Sequence, residues 1–132
     1  MKLKNYLNVL IRKLLYRKQN EKKGVSVICN NCTAAMMLHD LGFGFNTPTV
    51  NLWMNVRDYI IFVKSLPDIL NEEIEDITPP NSSYPIGILA GRIRLNFQHY
   101  NSFDEAVRKW KERSKRVICI LCVLIRVMTT FC

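Results

Sequence analysis

A run of strand character, Val25 to Cys29, passes into the polar turn Asn30-Asn31 and then into a short apolar helix starting near Thr33. In open α/β sheets the carboxyl end of a strand, where it hands over to a helix, is the usual place for a ligand. The motif Cys29-Asn30-Asn31-Cys32 puts two thiols and two amides at that junction. Three chemistries use such residues. Joined to the second pair of the same spacing, Cys119-Ile120-Leu121-Cys122, the motif would make a Cys₄ zinc site. The apolar neighbours of that second pair argue against it, and in a strand Cys119 and Cys122 would face opposite sides. As a redox pair at a helix N-terminus, one thiol would be acidified by the helix dipole. Ile28, however, stands where a thioredoxin-like site carries an aromatic residue. As a lone nucleophile Cys32 needs a base, and His39 and His99 are the two histidines of the chain. His39 lies about two turns along the same predicted helix, too far for a direct hydrogen bond to Cys32. His99 stands at another strand end and can converge on the junction. Against all three stands the ordinary role of a buried cysteine, that of a small inert apolar residue.

The elements that would position these groups follow from periodicity and from caps. Met1 to Lys23 reads as an amphipathic helix, with Leu3, Leu7, Leu10 and Leu14 along one side and basic residues elsewhere. Gly24 ends it. Thr33 to Leu41 is predicted helical, with Gly42 as its stop. Thr47-Pro48-Thr49 is extended, since the residue before a proline avoids the helical region, and Val50 to Met54 is expected as a second short strand. Asn55 caps a further helix, with Asp58 in its first turn and Tyr59, Ile60, Phe62, Val63 and Leu66 as its core face. Pro67 interrupts that helix, and an acidic helical turn is expected over Asp68 to Asp76. After the Pro-, Asn- and Ser-rich loop 78–84, Tyr84 to Leu89 and Ile93 to Phe97 form a predicted hairpin turning at Ala90-Gly91. Ser102 and Glu105 have capping-box spacing. The helix they open turns Phe103, Ala106, Val107 and Trp110 inward and Arg108, Lys109, Lys111 and Arg113 outward. Val117 to Val127 closes the chain as a buried strand.

A length of 132 residues with 48% hydrophobic and 23% charged residues suits one ordered domain. The expected organisation is a basic helix over 1–23 and a single α/β domain over 24–132, with 117–132 as an atypical tail. Of the net charge of +8, all but one unit falls within residues 1–24, where eight Lys or Arg meet a single Glu. Such a helix suits a peripheral contact with an anionic membrane, or simply a solvated basic face. Nucleic acid is not an expected partner, because no interleaved aromatic platform accompanies the basic residues. No signal peptide is visible, and the apolar tail is too short for a bilayer and carries Arg126. With five cysteines and no secretory leader, a reduced, cytoplasmic protein is expected. There is no P-loop, dinucleotide fingerprint, serine elbow or metalloprotease helix, so no cofactor and no metal is implied.

Taken together, Ser26-Val27-Ile28-Cys29-Asn30-Asn31-Cys32, His39-Asp40-Leu41-Gly42 and Thr47-Pro48-Thr49-Val50-Asn51-Leu52 resemble a bacterial family, domain of unknown function 1919. Tyr84-Pro85-Ile86-Gly87, Phe97-Gln98-His99-Tyr100, Ser102-Phe103, Glu105-Ala106 and Trp110 look like its second half. The resemblance covers about residues 10 to 116. It implies an α/β protein with a mixed sheet between helix layers, a three-layer α/β/α arrangement. It also implies work beside capsule, lipopolysaccharide or exopolysaccharide enzymes, since members carry exopolysaccharide-biosynthesis labels and some are called acetyl- or glycosyltransferases. Members usually read Ser-Asn-Asn-Cys where this chain has Cys29-Asn30-Asn31-Cys32, which makes the CxxC spacing incidental. Members also continue past the tryptophan helix into more strand and polar chain, so the sheet is expected to be incomplete at the C-terminus. On this footing the chain is expected to transfer an acyl or glycosyl group to a sugar intermediate, or to serve the same machinery as a non-catalytic accessory protein. His99 and Cys32 are the catalytic candidates, His99 as the base for an acceptor hydroxyl. Asn30, Asn31, Asn51 and Tyr100 are the candidates for holding a sugar or sugar nucleotide.

Overall fold

The computed structural model describes residues 6–11, 14–15, 26–117 and 120–122. Strand β1 (Ser26–Ile28) leads to helix α1 (Thr33–Asp40), and helix α2 (Val56–Lys64) follows after an irregular segment. A 3₁₀ turn (Asp68–Asn71) precedes β2 (Ile74–Asp76), β3 (Ile86–Leu89) and β4 (Ile93–Asn96); helix α3 (Phe103–Ser114) and β5 (Ile120–Cys122) complete the order. This is a mixed α/β fold, as expected. Parallel and antiparallel pairing both occur, but in two sheets. β1 pairs with β5 in parallel, Ser26 opposite Ile120, and β2, β3 and β4 form an antiparallel meander.

The two sheets share one core. Ile28 from β1 is enclosed with Leu89, Ile93 and Leu95 of the meander, Tyr59 and Phe62 of α2, and Ala106 and Trp110 of α3. Phe62 and Trp110 meet edge to face at 5.8 Å between ring centroids, an arrangement aromatic quadrupoles favour. The Tyr59 hydroxyl donates to the Ile28 carbonyl at 2.8 Å and so ties α2 to the end of β1.

The helix ends follow local chemistry. Asn55 Oδ1 accepts from the Asp58 amide at 2.8 Å, while Asn55 Nδ2 donates to Asp58 Oδ2 at 2.8 Å. The same carboxylate oxygen accepts the Arg94 amide, so the cap of α2 is also its attachment to β4. Ser102 Oγ accepts from the Glu105 amide as a capping box requires. Glu105 itself reaches back to the Asn101 amide, one residue earlier than the motif prescribes. At the far end of α1 the Gly42 amide donates to His39 O and the Phe43 amide to Leu38 O, with Gly42 at φ +73°. That pair of bonds is the Schellman motif, and its left-handed residue is the glycine that the sequence supplies.

Four expectations need correction. Ile60 does not join the core face of α2 but is 41% exposed. Val50 to Met54 is not a strand: residues 48–51 turn, Asn51 sits at φ +63°, and only Trp53 bridges to Asn96. Pro48 brings no amide, and a left-handed Asn51 cannot continue a pleat. The acidic stretch from Asp68 is helical only through Asn71; Ile74 to Asp76 pairs with β3, which buries Ile74. Arg113 does not point to solvent but is half-buried, bonded to Tyr100. Residues 1–5, 12–13, 16–25, 118–119 and 123–132 lie outside the described residues. So do most of the expected tail strand and parts of the expected N-terminal helix, of which residues 6–11 and 14–15 are helical.

Gly87 shows why the Tyr-Pro-Ile-Gly piece needs its glycine. A Cβ there would stand 2.6 Å from Ile74 Cγ2, 3.1 Å from Phe103 and 3.3 Å from Phe97. Ile74 is β-branched and cannot swing that methyl away cheaply. We expect Gly87→Ala to destabilise the fold by about 1–3 kcal/mol, measured as a lower urea midpoint at unchanged slope. An unchanged midpoint would show that Ile74 and the two rings yield to the added methyl without cost.

Candidate functional site

Helix α1 presents two faces. Ala34, Ala35 and Leu38 are buried, and Cys32, Ala35, Met36, His39 and Asp40, at helical spacing from one another, line a cavity of about 780 Å³. Phe45, Asn51 and His99 complete the lining. Three candidates from the sequence, Cys32, Asn51 and His99, therefore share one cleft. His99 is exposed on the loop after β4, Asn51 reaches the cleft from its left-handed position, and Cys32 is the N-cap residue of α1. Polar Asn accepts φ > 0 more readily than most residues, but the conformation still costs energy, and such strain tends to gather at functional sites.

The other three candidates have other tasks. Asn31 Oδ1 accepts from the Thr33 amide at 3.0 Å, satisfying an orphan donor of α1, and also lies 3.3 Å from Cys29 Sγ. Asn30 is buried, and its carbonyl accepts from the Met54 amide at 2.8 Å. Tyr100 is buried as well; its hydroxyl donates to the Val50 carbonyl at 3.1 Å and accepts from Arg113. None of the three lines the cleft. Asn31 serves the strand-to-helix turn, Asn30 holds Met54 through its backbone, and Tyr100 anchors the segment that carries Asn51.

Cys32 is disulfide-bonded, so in this form its sulfur carries no thiolate to act as a nucleophile. Cys29, a free and buried thiol, sits against Thr49, whose Oγ1 accepts the Cys29 amide at 3.3 Å and lies 3.0 Å from Thr47 Oγ1. Among the described residues no three His, Cys, Asp or Glu side chains gather as metal ligands. The cleft's dissociable groups are the imidazoles of His39 and His99 and the Asp40 carboxylate, with His39 Nδ1 3.5 Å from Asp40 Oδ1.

His39, Asp40 and Phe45 are site residues that the sequence reading left out. A signal for the first two was present: positions 32, 35, 36, 39 and 40 repeat at three- and four-residue intervals, which places them on one helix face. Phe45 had no such signal, because the loop after Gly42 has no period.

Burial pushes the Tyr100 hydroxyl above its ordinary value, and the Arg113 cation beside it works in the opposite direction. A raised folded value favours the neutral phenol, so its contribution to stability is complete below the unfolded value of about 10 and is lost as pH rises through the folded value. We expect Tyr100→Phe to cost about 1–3 kcal/mol near neutral pH, since the Val50 carbonyl and Arg113 lose their partner. It should also flatten part of the alkaline decline in stability. Urea titrations at neutral and alkaline pH check both. Equal stability of the two proteins would mean that Tyr100 does not anchor the Asn51 segment.

Among the described residues no helix is long and apolar enough to cross a membrane. The chain is 36% identical over 107 residues to an uncharacterized protein of Haemophilus influenzae, a match covering 81% of this chain and 50% of the relative. It thus spans about half the length of the curated relative it matches. The model of the family described as a domain of unknown function, DUF1919, matches residues 2–126. With the turn at residues 29–32, the Asn51 segment and the His99 loop all inside that match, the chain belongs to the DUF1919 family.

Proposed function

We propose that the cleft beside α1 takes a sugar or sugar-nucleotide intermediate of bacterial surface-polysaccharide synthesis, and that the chain transfers an acyl or glycosyl group to it. The observation that carries this reading is the make-up of the cleft. Phe45 and Met36 offer an apolar platform for the C–H face of a sugar ring, while Asn51, Asp40 and two imidazoles offer partners for hydroxyls. Small-molecule sites combine these features, in volumes of roughly 300–1,000 Å³. His99 takes the proton of the acceptor hydroxyl as its oxygen bonds to the acyl carbon or the anomeric carbon. The bond to the leaving thiol or nucleotide phosphate then breaks, its electron pair going with that group, which leaves protonated or as the free anion. The donor is accordingly an acyl thioester or a sugar nucleotide. The resemblance to proteins labelled for exopolysaccharide, capsule and lipopolysaccharide synthesis supports this setting. A cytoplasmic location belongs to the same reading, and a reducing compartment would return Cys32 to a thiol at the cleft wall.

One observation favours a second reading. With Cys32 held in a disulfide and His39 and His99 both exposed, the cleft can bind without reacting, which suits an accessory protein of the same machinery. Calorimetric titration with UDP-glucose and UDP-N-acetylglucosamine tests the site. We expect saturable binding that Asn51→Ala and His99→Ala each weaken at least about tenfold, with circular dichroism unchanged. A His99→Gln variant that binds but no longer modifies the polymer in cells supports transfer. One that keeps both supports the accessory role. No binding of either nucleotide sugar by the folded native chain would remove the proposal.

A further inference from the structure

The described apolar side chains near the N-terminus are uncovered. Leu7, Leu10, Leu14 and Leu15 are 55%, 46%, 66% and 65% exposed, and Tyr6 is 71% exposed. Single exposed leucines are ordinary; four between positions 7 and 15 call for a partner. The same first 24 residues hold all but one unit of the chain's +8 charge, so the exposed leucines and the cationic charge share one stretch of sequence. We infer that this N-terminal stretch binds an anionic lipid bilayer, its exposed leucines entering the acyl boundary and its cationic charge drawn to the phosphates.

Charge and apolarity together select this occupant. Interfacial helices bind by burying an apolar face while basic side chains reach the headgroups, and each cation near an anionic leaflet adds attraction that salt screens. A second copy of the chain offers less. Its acidic stretch, with Glu72, Glu73, Glu75 and Asp76 exposed, supplies charge, but the isoleucine within it, Ile74, is buried. The inference does not rest on the sugar-binding proposal; either can fail alone.

Co-sedimentation of the full chain with vesicles decides. We expect binding to phosphatidylcholine vesicles containing phosphatidylglycerol, at least about tenfold weaker binding to pure phosphatidylcholine, and a steep loss on raising salt. Leu7→Asp/Leu14→Asp changes exposed positions only, so its melting curve should match the native one while its binding falls at least about tenfold. Lys13→Glu/Lys18→Glu should weaken binding to the anionic vesicles alone. Failure of the native chain to sediment with anionic vesicles at low salt would overturn the inference, as would full binding by the leucine variant. A concentration-dependent dimer that the leucine variant dissolves, with vesicles left unbound, would overturn it in favour of contact between copies.

Discussion

Residues 47–54 cross the interior of the molecule without forming a helix or a regular strand, and their polar backbone groups must find partners there. An unpaired buried amide or carbonyl costs about as much as a hydrogen bond lost. The partners come from elements far apart in the chain. Met54 donates to the Asn30 carbonyl, Trp53 exchanges both bonds with Asn96, and the Val50 carbonyl accepts from Tyr100. Asn96 Nδ2 adds a bond to the Trp53 carbonyl. Thr47 and Thr49, both buried, bond to each other through their hydroxyls, and Thr49 also accepts the Cys29 amide. The segment is thus where the end of β1, β4 and α3 are tied together, and it carries Asn51 at φ +63°.

That constraint also explains how the amides and the tyrosine are used. Asparagines after a strand look available for a ligand, but the turn into α1 has orphan donors of its own, and Asn31 answers one of them. Tyr100 has a hydroxyl beside the cleft-forming loop, yet a buried phenol needs partners and finds them in Val50 and Arg113. The polar side chains that do face the cleft are not among those that bond the 47–54 segment or the turn. His99 and Asn51 are of this kind, and so are His39 and Asp40, which come from the solvent-facing half of α1.

Much of the fold was legible because it is decided locally. Asn55 with Asp58, Ser102 with Glu105, and Gly42 after α1 satisfy or release backbone groups within a few residues, whatever the rest of the chain does. The hairpin from Ile86 to Asn96 shows its alternation in Ile93, Leu95 and the polar residues between them, and its turn places Ala90 and Gly91 at φ +51° and +64°. Asp68 to Asp76 misled because acidic residues suit a helix start, and only pairing with β3 makes Ile74 to Asp76 a strand. Arg113 misled because it falls on the polar face of an amphipathic helix, and its partner is thirteen residues away on another element.

Alone, the amino-acid sequence determined the α/β class, the helix ends, the hairpin, the family, and the concentration of charge at the N-terminus. Each depends on interactions that close within one turn or one pleat, or on residue identity itself. The tertiary structure decided that the meander and the parallel pair are separate sheets, that residues 47–54 are an irregular bonded strap, and that Cys32, His39, Asn51 and His99 line one cavity while Asn30, Asn31 and Tyr100 serve the frame. These outcomes turn on which distant donor meets which acceptor. That choice is made by burying one shared core, which no local spacing records.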